Sequence, residues 1–193
     1  MKRAAQKEKT RESIRLAALH LFESKGVDAT TIQEITDMAG VAKGTFFYHF
    51  ESKEMVMFEL QQLWVAEELG KAISTPELPV IPTIQMLSEV LALRTHYSHG
   101  LMRSVMQSCM IDGAVRTRHQ QMLTDCTGLI EKWITLGQER GEVTKQLNSL
   151  LLAEQVVQTY FGTLYMWTMS NGEIPLRDKV REAFQVLLFG FKP

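Results

Sequence analysis

Ile14, Ala17, Ala18, Leu21 and Phe22 fall at i, i+3, i+4, i+7 and i+8, one stripe of an amphipathic helix. The same period returns along almost the whole chain. No segment of useful length alternates apolar and polar residues as a half-buried strand would. This pattern restricts the chain to an all-α fold. Helix punctuation agrees with it. Gly26 stands where a C-terminal cap would stop the first helix. In "TTIQE", Thr31 can cap a second helix while Glu34 reaches back to it, a capping box. Gly40 ends that helix early. A third helix is expected from about Ala42 to Phe50, and a fourth, with Ser52 as N-cap, to about Ile73. The stretch "STPELPVIPT" carries three of the five prolines and reads as a stiff, extended connector. Longer helical patterns follow at about 83–98, 101–112, 114–140, 149–170 and 176–189. The expected architecture is an N-terminal three-helix helix-turn-helix domain over 1–52 and a larger C-terminal helical bundle domain over 53–193, about nine helices in all.

With 193 residues, 45% of them hydrophobic, the chain can bury a substantial core. Its net charge of −1 does not announce a polyanion partner, and the distribution is more informative. Residues 1–53 carry nine Lys/Arg against seven Asp/Glu, and the first fifteen residues carry six against two. That asymmetry points to a polyanion at the N-terminal end, with a solvated basic tail as the plainer reading. No run of apolar residues approaches the length of a transmembrane helix, and the basic N-terminus has no apolar stretch behind it. Cys109 and Cys126 form no framework. Two reduced thiols in a cytoplasmic protein without membrane partners is the expectation.

"GVAKGTFFYHFESKE", from Gly40 to Glu54, crowds rings among ionic and polar groups. A short helix, a turn containing Gly40 and a second short helix make a helix-turn-helix, whose second helix offers its N-terminal residues to base edges in the major groove. The exposed first turn would be Ala42, Lys43, Gly44 and Thr45. Tyr48 and His49 would follow at the groove wall, while Phe46 and Phe50, four apart, pack inward.

With "TRESIRLAALHLFESKGVDAT" before it, "TIQEITDMAGVAKGTFFYHFESKE" resembles the DNA-binding domain of TetR-family transcriptional regulators over about residues 10–56, without gaps. The "GQERGEV" turn also looks like the family. The resemblance implies phosphate contacts from Thr31 and Lys53, a base contact from Gln33, and recognition-helix contacts from Lys43, Thr45, Phe47, Tyr48 and His49. Two positions depart from the family pattern: Phe47 replaces a usual Tyr and cannot supply its hydroxyl, and Ala42 replaces a frequent Ser. Phe47 can still meet a thymine methyl.

The resemblance further implies a C-terminal domain that binds a small effector and dimerises. Candidate pocket residues are Trp64, Met86, Tyr97, Met102, Met106, Met110, Met122, Trp133, Phe161 and Tyr165, a Met- and aromatic-rich set suited to an apolar ligand. Ordinary bundle core is the competing reading for each of them. Gln155, Gln158, Thr159, Gly162 and Met166 form one candidate dimer stripe, and Val180, Phe184, Leu187 and Leu188 another. His96 and His99, with Cys109, Asp112 and His119 nearby in sequence, have loose metal-ligand spacing, but histidines meeting the dipole at a helix end are the preferred reading of the pair, and no metal is expected. No catalytic or cofactor motif is present, and no cofactor is expected. The chain therefore reads as a non-enzymatic regulator, a repressor binding double-stranded palindromic operator DNA as a homodimer and released by a small apolar effector. The alternative is a small-molecule-binding helical protein or enzyme with an unused helix-turn-helix.

Overall fold

Helix punctuation places the elements almost where the period requires. The computed structural model describes residues 2–75, 77–94, 106–107, 109–111, 113–170 and 173–193. Among these the helices are α1 (Lys2–Lys25), α2 (Ile32–Ala39), α3 (Lys43–His49), α4 (Lys53–Ile73), α5 (Val80–Arg94), α6 (Gly113–Glu139), α7 (Ser149–Met169) and α8 (Leu176–Phe189). The described part of 106–111 is also helical. No strand occurs among the described residues, so the class is all-α. Tyr97, Met102, His96 and His99 lie outside the described residues, as does Asp112.

α5 starts at Val80, earlier than the proline-rich stretch suggests. Pro82 sits inside its first turn, where the missing N–H would have had no helical partner in any case. The Val80 N–H is satisfied from elsewhere: it donates to Glu142 Oε2 at 2.7 Å. Glu142 is held in turn by Arg140, which also donates to the Leu78 carbonyl at 3.0 Å.

The chain divides into two compact units, Met1–Leu63 and Trp64–Pro193. In the first, α1 packs on α2 and α2 on α3. Its buried residues include Ile14, Ala18, Phe22, Ile35, Phe46 and Phe50. The unit runs past residue 52 into α4, because Glu59 pairs with Arg11 and Arg15 of α1. The second unit has one continuous core, with Trp133, Ile134, Leu164, Val180 and Phe184 essentially inaccessible. There α7 packs between α6 and α8, and α5 lies along α8. Gly137 permits one close approach: a Cβ there would stand 2.8 Å from Val143 Cγ2 and 2.9 Å from Val80 Cγ2. No helix among the described residues is long and apolar enough to cross a membrane.

Candidate DNA-contacting surface and ligand cavity

The helix-turn-helix is built from local signals. Thr31 Oγ1 accepts from the Glu34 N–H at 3.2 Å, and Glu34 Oε2 accepts from the Thr31 N–H at 2.9 Å, so the expected capping box is complete. Lys25 pairs with the same carboxylate. The bonds from Lys25 and Thr31 hold Glu34 down to about 2. Gly40 takes φ +65°, a left-handed turn open to glycine, and its N–H closes on the last carbonyls of α2.

α3 then presents two faces. Phe46, His49 and Phe50 are buried, whereas Ala42, Lys43, Gly44, Phe47 and Tyr48 are exposed and Thr45 is half-buried. His49 is therefore not at a groove wall. It lies three residues after Phe46 and so shares the inward face that Phe50 reaches at four. Its Nδ1 has no hydrogen-bond partner. Burial first, then the charges of Arg11 and Lys7, push its pKa below the ordinary 6.5. Gln33 is exposed, with its amide donating to Asp37 at 2.7 Å.

Lys53 is placed differently from a free phosphate ligand. Its Nζ donates to the carbonyls of Val27 (2.7 Å), Asp28 (3.2 Å) and Thr30 (2.7 Å), tying the start of α4 to the loop before α2. All three ammonium donors are used. Lys53→Met is expected to destabilise the first unit by about 1–3 kcal/mol, since three carbonyls lose a charged donor. Urea unfolding followed by circular dichroism measures this. An unchanged midpoint with weakened DNA binding would instead assign Lys53 to phosphate alone.

Two residues at this surface carried no specific expectation. Lys7 holds its ammonium 5.1 Å from the centre of the Tyr48 ring. Arg11 donates to the His49 carbonyl at 2.7 Å, pairs with Glu59, and lies 4.1 Å from the centre of the Phe50 ring. Only the excess of basic residues before Ile14 hinted at them.

Within the second unit lies a cavity of about 100 Å³. α4 supplies Trp64, Val65, Glu68 and Leu69, and α5 supplies Ile84, Leu87, Ser88 and Leu91. Met122, Cys126 and Ile130 come from α6, Val156, Val157, Tyr160 and Phe161 from α7, and Phe184 from α8. Of the expected pocket residues, Trp64, Met122 and Phe161 line it. Trp133 does not, because it is wholly enclosed in the packed core. Met106 packs half-buried against that core. Met86, Met110 and Tyr165 are exposed, at 52%, 72% and 45%. Cys126 remains a neutral thiol, pushed up to about 11 by burial and then by Asp125. Both described cysteines are free, and no cluster of three metal-ligating side chains occurs among the described residues.

The second expected dimer stripe also needs correction. Val180, Phe184 and Leu188 are buried in the chain's own core, and Leu187 packs against it. The apolar residues that α8 exposes are Val186 (79%) and Phe189 (72%), and α7 exposes Met166 (68%) and Met169 (64%). Gln158, Thr159, Gly162 and Met166 line a groove with Ala183 and Val186, while Gln155 is half-buried on α7.

Residues 14–60 match the family model described as bacterial regulatory proteins, tetR family. The chain is 28% identical to the HTH-type transcriptional repressor DhaR of Mycobacterium sp. (strain GP1), in an alignment of 178 residues covering 87% of each protein. It is 27% identical to the A-factor receptor protein of Streptomyces griseus, over 97% of this chain and 66% of the relative. The Thermus thermophilus FadR structure, a TetR-family repressor with lauroyl-CoA, shares the fold at TM-score 0.66 and 23% identity, over 93% of this chain and 94% of that one. The SmeT–triclosan complex does so at 0.65 and 19%, over 95% and 92%. Residues 14–60, which fold around the helix-turn-helix, thus carry the match to the tetR-family model, and the chain as a whole is similar to an HTH-type transcriptional repressor.

Proposed function

We propose that this chain is a repressor that binds a palindromic operator as a homodimer and leaves it when a small, largely apolar effector fills the cavity of the second unit. Residues 1–52 serve as the DNA-binding domain and 53–193 as the ligand-binding and dimerisation domain. The observation that carries the reading is the two-faced α3, whose rings at 46 and 50 are buried while Lys43, Gly44, Phe47 and Tyr48 stand exposed in one short helix. Lys43 reaches a guanine edge or phosphate, Thr45 a phosphate, and Phe47 a thymine methyl. Thr31 and Gln33 approach the backbone and a base from α2.

A palindrome requires a two-fold dimer with a self-complementary face. The exposed Met166, Met169, Val186 and Phe189 support placing that face on α7 and α8, with the groove past Gly162 accepting the partner. The effector is inferred from the apolar cavity lining and from relatives: the FadR structure holds lauroyl-CoA and the SmeT structure triclosan. α4 joins the two activities, since it begins at Lys53 and later carries Trp64, Glu68 and Leu69. A ligand that moves α4 alters the spacing of two recognition helices, which must match about one duplex turn, roughly 34–36 Å.

Selection of bound fragments from a genomic DNA pool, followed by gel shift, tests the reading. Lys43→Ala is expected to weaken the selected site by about 1–3 kcal/mol while leaving the thermal unfolding midpoint unchanged. Binding should also fall steeply with salt, because phosphate contacts release counterions. Failure to enrich any sequence, or full affinity in Lys43→Ala, would reject α3 as the reading helix.

A further inference from the structure

The second turn of α1 brings a cation to the exposed face of α3. Lys7 and Arg11 stand four apart, so they share one face of α1. That face meets the end of α3, because Arg11 donates to the His49 carbonyl at 2.7 Å. Arg11 is engaged there and by Glu59, to which its Nε donates at 2.9 Å. Lys7 meets only a ring: its ammonium lies 5.1 Å from the centre of the Tyr48 ring, and no carboxylate pairs with it among the described residues. The acid next to it in sequence, Glu8, pairs with Arg15 at 2.9 Å instead. Lys7 is exposed, and so is Tyr48, at 70%. The Tyr48 ring also stands edge-on to the buried His49, with ring centres 5.1 Å apart.

A ring attracts an ammonium but does not neutralise it. Lys7 therefore keeps its full charge beside an outward ring of the helix proposed to enter the major groove. The walls of that groove are phosphate backbone, and at protein–DNA interfaces contacts to phosphate, from lysine among others, fix the register of the protein on the duplex. The flexible stem of Lys7 lets its ammonium pass from the ring to a phosphate beside it while Arg11 holds α1 in place. The plainer reading of the basic start of α1 is a solvated tail, in which each lysine acts through the long-range field alone. Lys9 separates the two readings. It is exposed as Lys7 is, but two residues on, so it does not share the face of α1 that meets α3.

We propose that Lys7 is a DNA-contacting residue: it binds a backbone phosphate next to Tyr48 and makes α1 a third element of the DNA surface, beside α2 and α3. This rests on α3 being the reading helix. The test uses the full chain and the fragment enriched from the genomic DNA pool, with affinity followed by fluorescence anisotropy from about 50 to about 200 mM salt. Lys7→Gln keeps a long polar stem and removes the charge. It is expected to weaken the enriched fragment and an unrelated duplex alike, about fivefold at about 100 mM salt. It should also lower the slope of log affinity against log salt by about one unit for each chain bound. Its unfolding midpoint should stay that of the unaltered chain. Lys7→Arg should keep both affinity and slope, and Lys9→Gln should change neither. An unchanged slope in Lys7→Gln, a Lys7→Arg protein as weak as Lys7→Gln, or an equal loss in Lys9→Gln overturns the contact; the last result assigns the effect to a solvated tail. Lys43→Ala in the same salt series separates this contact from the reading on which it rests. If Lys43→Ala weakens the fragment while Lys7→Gln does not, only the α1 contact fails. If Lys43→Ala is itself without effect, α3 is not the reading helix and the contact falls with it.

Discussion

A Phe184→Asp protein is expected to lose the fold of its second unit, not to persist as a folded monomer. Phe184 is 1% exposed and lies in the same core as Leu152, Leu164 and Val180. Truncating a buried Phe costs about 3–5 kcal/mol by itself. Adding an unpaired carboxylate costs several more, and the total approaches the whole stability of an ordinary domain, about 5–15 kcal/mol. Far-ultraviolet circular dichroism should show lost helix and a broadened, lowered transition. The paired change Val186→Asp with Phe189→Asp should behave oppositely. Both side chains are largely exposed, so helix content and melting should be retained while sedimentation at micromolar concentration moves to the monomer. A folded, monomeric Phe184→Asp would mean that Phe184 serves the partner after all. A fully dimeric double variant would move the dimer face off α8.

The second large effect is expected at Arg11. Its guanidinium ties three pieces of the first unit: the His49 carbonyl at the end of α3, the Glu59 carboxylate on α4 and the Phe50 ring. Arg11→Ala removes charged hydrogen bonds from partly buried partners, each worth about 1.5–3 kcal/mol. Glu59 keeps Arg15 at 2.7 Å, so a total loss of about 2–4 kcal/mol is expected rather than the full sum. Arg11→Lys should recover only part of it, because a point charge cannot serve a carboxylate and a carbonyl with the same fork. The pH dependence follows from Glu59. Burial pushes its pKa up, but Arg11 and Arg15 outweigh burial and leave it below the ordinary 4.5. The stabilisation is therefore present above about 4.5 and disappears as pH falls through the lowered folded value. In Arg11→Ala the acid limb should move to higher pH. His49 adds a second limb: its folded pKa is depressed, so stability is complete above 6.5 and declines as pH falls towards the folded value. Removing Arg11 weakens that depression. A pH–stability curve of Arg11→Ala parallel to wild type would show that Arg11 carries no such coupling.

Local signals made the first unit readable. A capping box, a left-handed glycine and an i, i+4 pair of rings each involve a few neighbouring residues, so Thr31–Glu34, Gly40 and Phe46/Phe50 could be placed from sequence order alone. The same period, applied to His49, would have turned it inward; the chemistry of imidazole drew it outward instead. Lys53 could not be placed that way, because its three carbonyl partners lie more than twenty residues away. In the second unit, periodicity separates inward from outward positions but does not say which inward side chains meet a void. Trp133 and Trp64 look alike in sequence, yet one is packed on all sides and the other lines the cavity. Met110 sits on a helical stretch whose described residues face largely outward, which a count of methionines does not reveal.

The cavity can also be read as a debt in the stability of the chain. At about 24 cal/mol per Å³, an unfilled space of about 100 Å³ represents about 2 kcal/mol of forgone packing. A tightly interdigitated bundle would not carry that deficit, and selection for stability alone would fill it with a few extra methylenes. On the function proposed above, that deficit is the cost of keeping a site open to a ligand among five helices. On that same function, a ligand that fills the cavity is expected to raise the unfolding midpoint of the chain.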